Sequence, residues 1–245
     1  MAYCERQDVL DVLEEASLSG AYSERPEIVD AAITGLTQDI RAWTNRHWYE
    51  PDALSSDLLS DSPVTAAGMI ADIPSSPHTQ DRQLFRSGDG VRYPLTHAGP
   101  YCRIILPHAD VTTLSALRVR DVAGEFEDWT TQPSKRQGRG EDYYLQTPTD
   151  GGPSGRTRLY LRAGVLPTLT DYEEALLLDY EYGTDTVPES VRRMTAQYAA
   201  AELVTNDEFV AAVPDDGQLV NVETKADRWT AAADKTLDNY RAPRT

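Results

Sequence analysis

The sequence predicts an α+β fold: a helical bundle built from the N- and C-terminal segments, with an antiparallel β domain inserted between them. Two observations carry that expectation. Apolar residues recur at helical spacing before residue 47 and again after residue 186, and between them lies a block of short strand-like runs punctuated by Gly, Pro and Asp. The bundle is expected from residues 1–49 with 184–245, and the β domain from 50–183 with a loop-rich lead-in at 50–89.

The first helix is expected over Glu5 to Ala16, with Val9, Leu13 and Ala16 on one face, and Ser17 to Ser23, with Gly20, ends it. Ser23 and Pro26 then open a longer helix. There Val29, Ile33, Leu36, Ile40 and Trp43 form a stripe suited to a bundle core or a subunit contact, and the helix runs to about Arg46 or His47. From Glu50 to Asp89 the chain is rich in Ser, Asp and Pro, including Ser75-Ser76-Pro77, and reads as loop, with a helical turn allowed at Asp52 to Leu59.

Strands are expected at Val91 to Thr96, Tyr101 to Leu106, Leu114 to Val122, Phe126 to Thr130, Tyr143 to Thr147, Thr157 to Arg162 and Ala175 to Tyr182. Helices return after Gly183, where Thr186 and Glu189 have capping-box spacing and Pro188 falls in the first turn. Val191, Met194, Tyr198 and Ala201 share one face, and the run Ala199-Ala200-Ala201 lets a neighbour approach closely. Pro214 to Gly217 breaks the chain before a last helix over Val222 to Tyr240, with Val222, Ala226, Trp229, Ala233 and Tyr240. The tail from Arg241 to Thr245 is locally basic, and no internal repeat is found.

Composition narrows the function. Forty acidic against 23 basic residues give a net charge of −17, which argues against a groove that grips nucleic acid. The acids are 24 Asp and 16 Glu, dispersed along the chain, and only Lys135, Lys225 and Lys235 stand beside 20 Arg. Such a surface is similar to that of proteins from salt-loving archaea and their viruses, since at molar salt the Debye length of ~3 Å screens self-repulsion. A wall along which DNA slides is the competing reading. No apolar run reaches the ~20 residues of a membrane span, and Met1 to Arg6 does not read as a secretory signal. A chain made in the cytoplasm, with no membrane partner, is expected. Cys4 and Cys102 are too far apart in sequence to read as a ligand pair.

Chemistry-bearing patterns are sparse. His47, His78, His97 and His108 lack the helical i, i+4 spacing of zinc peptidases, and neither a nucleophile elbow nor a phosphate loop occurs. Ser87-Gly88-Asp89-Gly90 and Gly138-x-Gly140 are weak phosphate candidates. Glu14-Glu15, Glu173-Glu174 and Asp215-Asp216 are sequence neighbours rather than acids facing across a cleft. His47 reads as a packing or dipole partner at a helix end, and Asp150 to Gly155 lacks the alternating ligands of a calcium loop. Trp129, Tyr143, Tyr144 and Tyr160 read as sheet-packing residues, with a sugar-stacking patch as the alternative. No cofactor, metal site or enzymatic activity is expected.

Phe85-Arg-Ser-Gly-Asp-Gly90, Ile104-Ile-Leu-Pro107 and Val111-x-x-Leu114-x-x-Leu117-x-Val119 resemble the β region of head–tail connector (adaptor) proteins of tailed viruses. Leu178-Asp-Tyr180-Glu-Tyr182-Gly183, Val187-Pro188 and the helix Val191 to Leu203 resemble that family's last strand and signature helix. A short helix followed by a longer one at the start also fits. The resemblance covers about two thirds of the chain, and the sequence departs from it in the long segment 50–89 and in a larger β block.

The resemblance implies a structural virion protein of the neck, between capsid portal and tail. It implies a homo-oligomeric ring of about twelve copies, a dodecamer closed by heterologous contacts. The implied partners are the portal protein, a tail-completion or tail-tube protein, and double-stranded DNA passing through the lumen without specific binding. Val29, Ile33, Leu36, Ile40, Trp43, Val191, Met194 and Tyr198 are then expected in bundle and subunit packing. Trp229, Tyr240, Arg241 and Arg244 are expected to anchor the ring to the portal, since aromatic and Arg residues are enriched at interface hot spots. The alternative is a carbohydrate- or protein-binding β module of a virion or cell-surface assembly.

Overall fold

A computed structural model describes residues 2–51, 58–59, 61–71, 96–98, 101–147, 156–166, 174–205 and 219–241. The protein is α+β. It divides into two compact units: Met1–Ser62 with Thr184–Thr245, and Pro63–Gly183.

The helical unit holds α1 (Arg6–Glu14), α2 (Ser19–Ser23), α3 (Pro26–Thr44), α4 (Glu189–Thr205) and α5 (Leu219–Tyr240). Glu5 and Asp8 cap α1 reciprocally. Beyond α1, Ser17 takes a left-handed conformation. The residues after it form the short helix α2 where the sequence predicts only a terminator. The reason is burial: Leu18 and Tyr22 lie four apart and both reach the core.

Pro26 occupies the first turn of α3, where its missing N–H costs nothing, and Asn45 closes the helix in a left-handed conformation. Arg6 grips Asp30 with two bonds of 2.9 and 2.6 Å, tying α1 to α3. α4 lies against α1, α3 and α5 and buries ten side chains, among them Ala199, Ala200 and Ala201. Its start differs from the expected capping box. The Pro188 carbonyl accepts the first helical bonds, from Val191 and Arg192. Thr186 therefore lies outside the helix, and the buried Val187 fixes the entry instead.

The β unit contains β1 (Val64–Ala71), β2 (Thr96–Ala98), β3 (Tyr101–Ile105), β4 (Val111–Arg120), β5 (Phe126–Asp128), β6 (Tyr143–Gln146), β7 (Arg158–Arg162) and β8 (Leu176–Tyr182). They form two antiparallel four-stranded sheets, ordered β1-β8-β4-β5 and β2-β3-β7-β6. Ile104, Leu159 and Leu161 of one sheet and Leu117, Val119, Leu176 and Leu178 of the other join one hydrophobic core.

β1 corrects the loop expected across 50–89. Its local signal is weak among flanking Ser, Asp and Pro, but pairing with β8 from Val64↔Tyr182 to Ala71↔Leu176 makes it a strand. A bulge between Ala66 and Met69 contains Gly68 at φ +69°. The Gly68 N–H donates to Asp179 Oδ1 at 2.7 Å, and Asp179 also pairs with Arg118 at 3.1 Å. β4 starts three residues earlier than the sequence predicts, because Val111 already pairs with Tyr182. Of the expected features, residues 52–57, Ser75-Ser76-Pro77, His78, Phe85 to Gly90, Val91 to Leu95, Asp150 to Gly155, Glu173, Pro214 to Gly217 and Arg244 lie outside the described residues.

Candidate functional site

The helical unit carries an open groove of about 290 Å³ between α1 and α4. Asp8 and Asp11 line it from α1, Glu15 from the residue that follows it, and Glu189, Arg192 and Arg193 from α4. Arg192 bridges Glu50 at 2.7 Å and Asp8 at 3.8 Å, while Asp8 also accepts the Glu5 backbone N–H at 2.7 Å. One guanidinium thus holds the start of α1 and the segment after α3 on α4. Glu15 accepts Trp229 Nε1–H at 3.2 Å, and its carbonyl accepts the Lys225 ammonium. These links join distant segments through charge-assisted bonds, and sequence spacing alone does not reveal them.

Val29, Ile33, Leu36 and Ile40 are buried in the helical core with Val191, Met194 and Tyr198. Trp43 is corrected out of that core: it is 43% exposed, with its ring meeting the Tyr198 ring edge-on at 6.0 Å. Thr44, four residues after Ile40, takes the buried position of the last turn, and Trp43 falls beside it at the edge of the stripe. The Tyr198 hydroxyl donates to Asp234 at 2.6 Å, joining α4 to α5, and burial with that carboxylate pushes its pKa up.

The expected anchoring set does not stay together. Trp229 is 2% exposed and packs in the helical core, so it is corrected from surface anchor to core residue. Its position on the apolar face of α5, with Val222, Ala226, Ala233 and Leu237, is the physical reason. Tyr240 is half-buried, its ring edge-on to Trp48 at 5.3 Å and its hydroxyl bonded to Ser190 at 2.7 Å. Arg241 is exposed and pairs with Asp238 at 3.1 Å.

His47 is fully buried, with Nδ1 3.1 Å from the Tyr3 hydroxyl and Nε2 3.0 Å from the Ser62 carbonyl oxygen. Burial lowers its pKa, so it stays neutral at physiological pH. His108 stacks on Tyr182 at 4.0 Å and bonds the Tyr180 hydroxyl at 2.8 Å. Both cysteines are free and buried; burial pushes the Cys102 thiol up to about 11 and the Cys4 thiol higher still. Among the described residues no group of three or more His, Cys, Asp or Glu is placed to hold a metal ion.

In the β unit Trp129 and Tyr143 are buried, and Lys135 sits over the Trp129 ring at 4.3 Å, so neither ring is free to stack a sugar. Tyr144 and Tyr160 stack on each other at 4.6 Å and 3°, and Tyr101 meets both edge-on. This cluster lies on the face of the sheet β2-β3-β7-β6 opposite the core, beside Arg103, Arg158 and Arg162. The alternation in Tyr101-Cys-Arg103 and Arg158-Leu-Tyr160-Leu-Arg162 is the sequence signal for it.

No family model matches the chain, and no curated protein matches it. Among solved structures, one similar chain belongs to the neck of an empty gene transfer agent particle, computed with C6 symmetry. The alignment covers 89% of this chain and 78% of that one at 15% identity and a TM-score of 0.40. A second belongs to the virion of a native gene transfer agent particle, with 89% and 77% coverage, 15% identity and a TM-score of 0.39.

Proposed function

We propose that this chain is a structural virion protein, a head–tail connector (adaptor) whose copies close into a ring in the neck between portal and tail. The observation that supports this reading most is the order of elements around α4. The first and last segments of the chain pack on α4 to make one helical unit, and the whole β unit enters between α3 and α4. The segments that resemble the adaptor family occupy central places: Leu178 to Tyr182 is in β8, which pairs with two strands, and Val191 to Leu203 is the buried helix α4.

In such a ring double-stranded DNA passes through the lumen, and carboxylates facing it repel phosphate. The C-terminal segment carrying Tyr240, Arg241 and Arg244 is the part offered to the portal. Recovery of full portal binding after deletion of residues 241–245 would remove that assignment. Native mass by light scattering behind size exclusion, with negative-stain images, tests the ring itself. A ring with a central hole is expected in molar salt, where a Debye length of ~3 Å screens the repulsion among copies of net charge −17. A ring that forms best without salt contradicts the electrostatic part, and a chain that assembles neither alone nor on a portal overturns the whole reading.

A further inference from the structure

The net charge is unevenly shared. Residues 1–62 and 184–245 hold 24 acidic and 11 basic residues, a net −13, whereas residues 63–183 hold 16 and 12, a net −4. Within the β unit the contrast sharpens, because no residue of β2, β3, β6 or β7 is acidic. The register sets the outer face of that sheet in rows: Tyr101 beside Arg162, and Arg103 beside Tyr160 beside Tyr144. The opposite face is spent on the core through Ile104, Leu159, Leu161 and Tyr143.

The tyrosines on this face are held in place. Tyr160 donates to Gln146 at 3.0 Å, and Tyr101 donates to the Glu141 carbonyl at 3.1 Å. Burial and the two neighbouring rings raise the pKa of Tyr144, and the one charged group opposing that rise is Arg139, a cation. Arg103 Nε is buried without a hydrogen-bond partner, and among the described residues neither the Arg103 nor the Arg162 guanidinium has an ion-pair partner. Arg103 is half-buried and Arg162 exposed, so the terminal guanidinium nitrogens, rather than the buried Arg103 Nε, are what a carboxylate can reach. Tyr and Arg together are the composition enriched at the centre of protein interfaces, where lysine is depleted.

We propose that the outer face carrying Tyr101, Arg103, Tyr144 and Arg162, laid over the buried Tyr160, docks a carboxylate-bearing surface of the helical unit of a second copy of this chain. The complementary charge is present: the helical unit exposes Glu223, Asp227, Asp234 and Asp238 along one side of α5, Asp11 and Glu14 on α1, and Glu15 just after it. Basic face against acidic unit is a heterologous contact, able to repeat from copy to copy. Close arginine–carboxylate pairs act within a Debye length even at molar salt, whereas the long-range repulsion between copies does not. The contact deepens the ring reading and rests on it in requiring that copies associate.

Light scattering of the full chain over a range of concentrations, from low to molar salt, tests it. The wild type is compared with R103E/R162E and with R25E/R228E, which makes the same change in net charge at exposed helical arginines. Association of R103E/R162E is expected to weaken by about tenfold or more, as for loss of an interface hot spot, with R25E/R228E close to wild type. R103Q/R162Q removes the charge while keeping much of the packing, and is expected to weaken association in the same direction if the reversed charges disturb folding. Unchanged association of both Arg103/Arg162 variants overturns this contact and leaves the ring reading standing. A wild type that stays monomeric at every salt concentration, alone and on a portal, overturns both. Arginine-dependent binding of a labelled oligonucleotide by a monomeric wild type overturns it in favour of a phosphate-binding face.

Discussion

The Tyr22 hydroxyl donates a 2.9 Å hydrogen bond to the Leu203 carbonyl, 181 positions away. Leu203 lies in the last described turn of α4. A side chain from the short helix α2 thereby ties itself to the central helix, and burial of Tyr22 pushes its phenol pKa up to about 12. Tyr22→Phe leaves that carbonyl without its donor. A loss of about 1–2 kcal/mol is expected, read as a lower urea midpoint at unchanged slope.

Trp229→Ala separates core from anchor. With Trp229 buried in the helical core, the variant is expected to lose about 3–5 kcal/mol of folding stability. Deleting residues 241–245 is expected to leave the melting temperature nearly unchanged. Equal stability of Trp229→Ala and wild type would place the indole outside the core.

His47 makes stability depend on pH. Its pKa in the folded chain is lowered, so between that value and the ordinary ~6.5 the unfolded chain binds the extra proton. The contribution is fully present above about pH 7 and is lost as pH falls through that window, at no more than about 1.4 kcal/mol per pH unit. His47→Gln is expected to be less stable at pH 7 and to show a flatter decline from pH 7 to 5 in urea titrations. A parallel decline in both proteins would assign the acid sensitivity to other groups.

At Gly68 a Cβ would meet no atom within 4 Å, yet φ is +69°. Gly68→Ala is therefore a test of backbone strain without crowding, and about 1–2 kcal/mol of destabilisation is expected. Gly68→Asn is expected to cost less, since Asn visits this conformation more readily. Equal denaturation midpoints for Gly68→Ala and wild type would mean that the bulge is dispensable.

Thiol labelling reads the two buried cysteines. At pH 8 a thiol with its pKa near 11 holds about a hundredfold less thiolate than one near 9, and burial hinders the reagent as well. Neither Cys4 nor Cys102 is expected to react in the folded protein, and both are expected to react in denaturant. Rapid labelling of the folded chain would show that the cores around them open easily.

Sequence alone determined the α+β class, the three long helices α3, α4 and α5, and most strand positions. These follow from local periodicity: Val29, Ile33, Leu36 and Ile40 repeat with the helical turn, and Leu176, Leu178, Tyr180 and Tyr182 alternate with the strand pleat. Tertiary structure alone decided β1, whose pairing partner is more than a hundred residues away, and α2, held by burial of Leu18 and Tyr22. It also decided that Trp229, on an apolar face legible in the sequence, is used up in the helical core rather than offered to a partner, and which periodic residue falls outside, leaving Trp43 exposed. The Arg103–Tyr160–Tyr144 row was half legible. Alternation puts Tyr101 with Arg103, and Arg158, Tyr160 and Arg162 together, each set on one face of its strand. Only strand register, set by pairing between segments far apart in sequence, lines those faces up on one sheet.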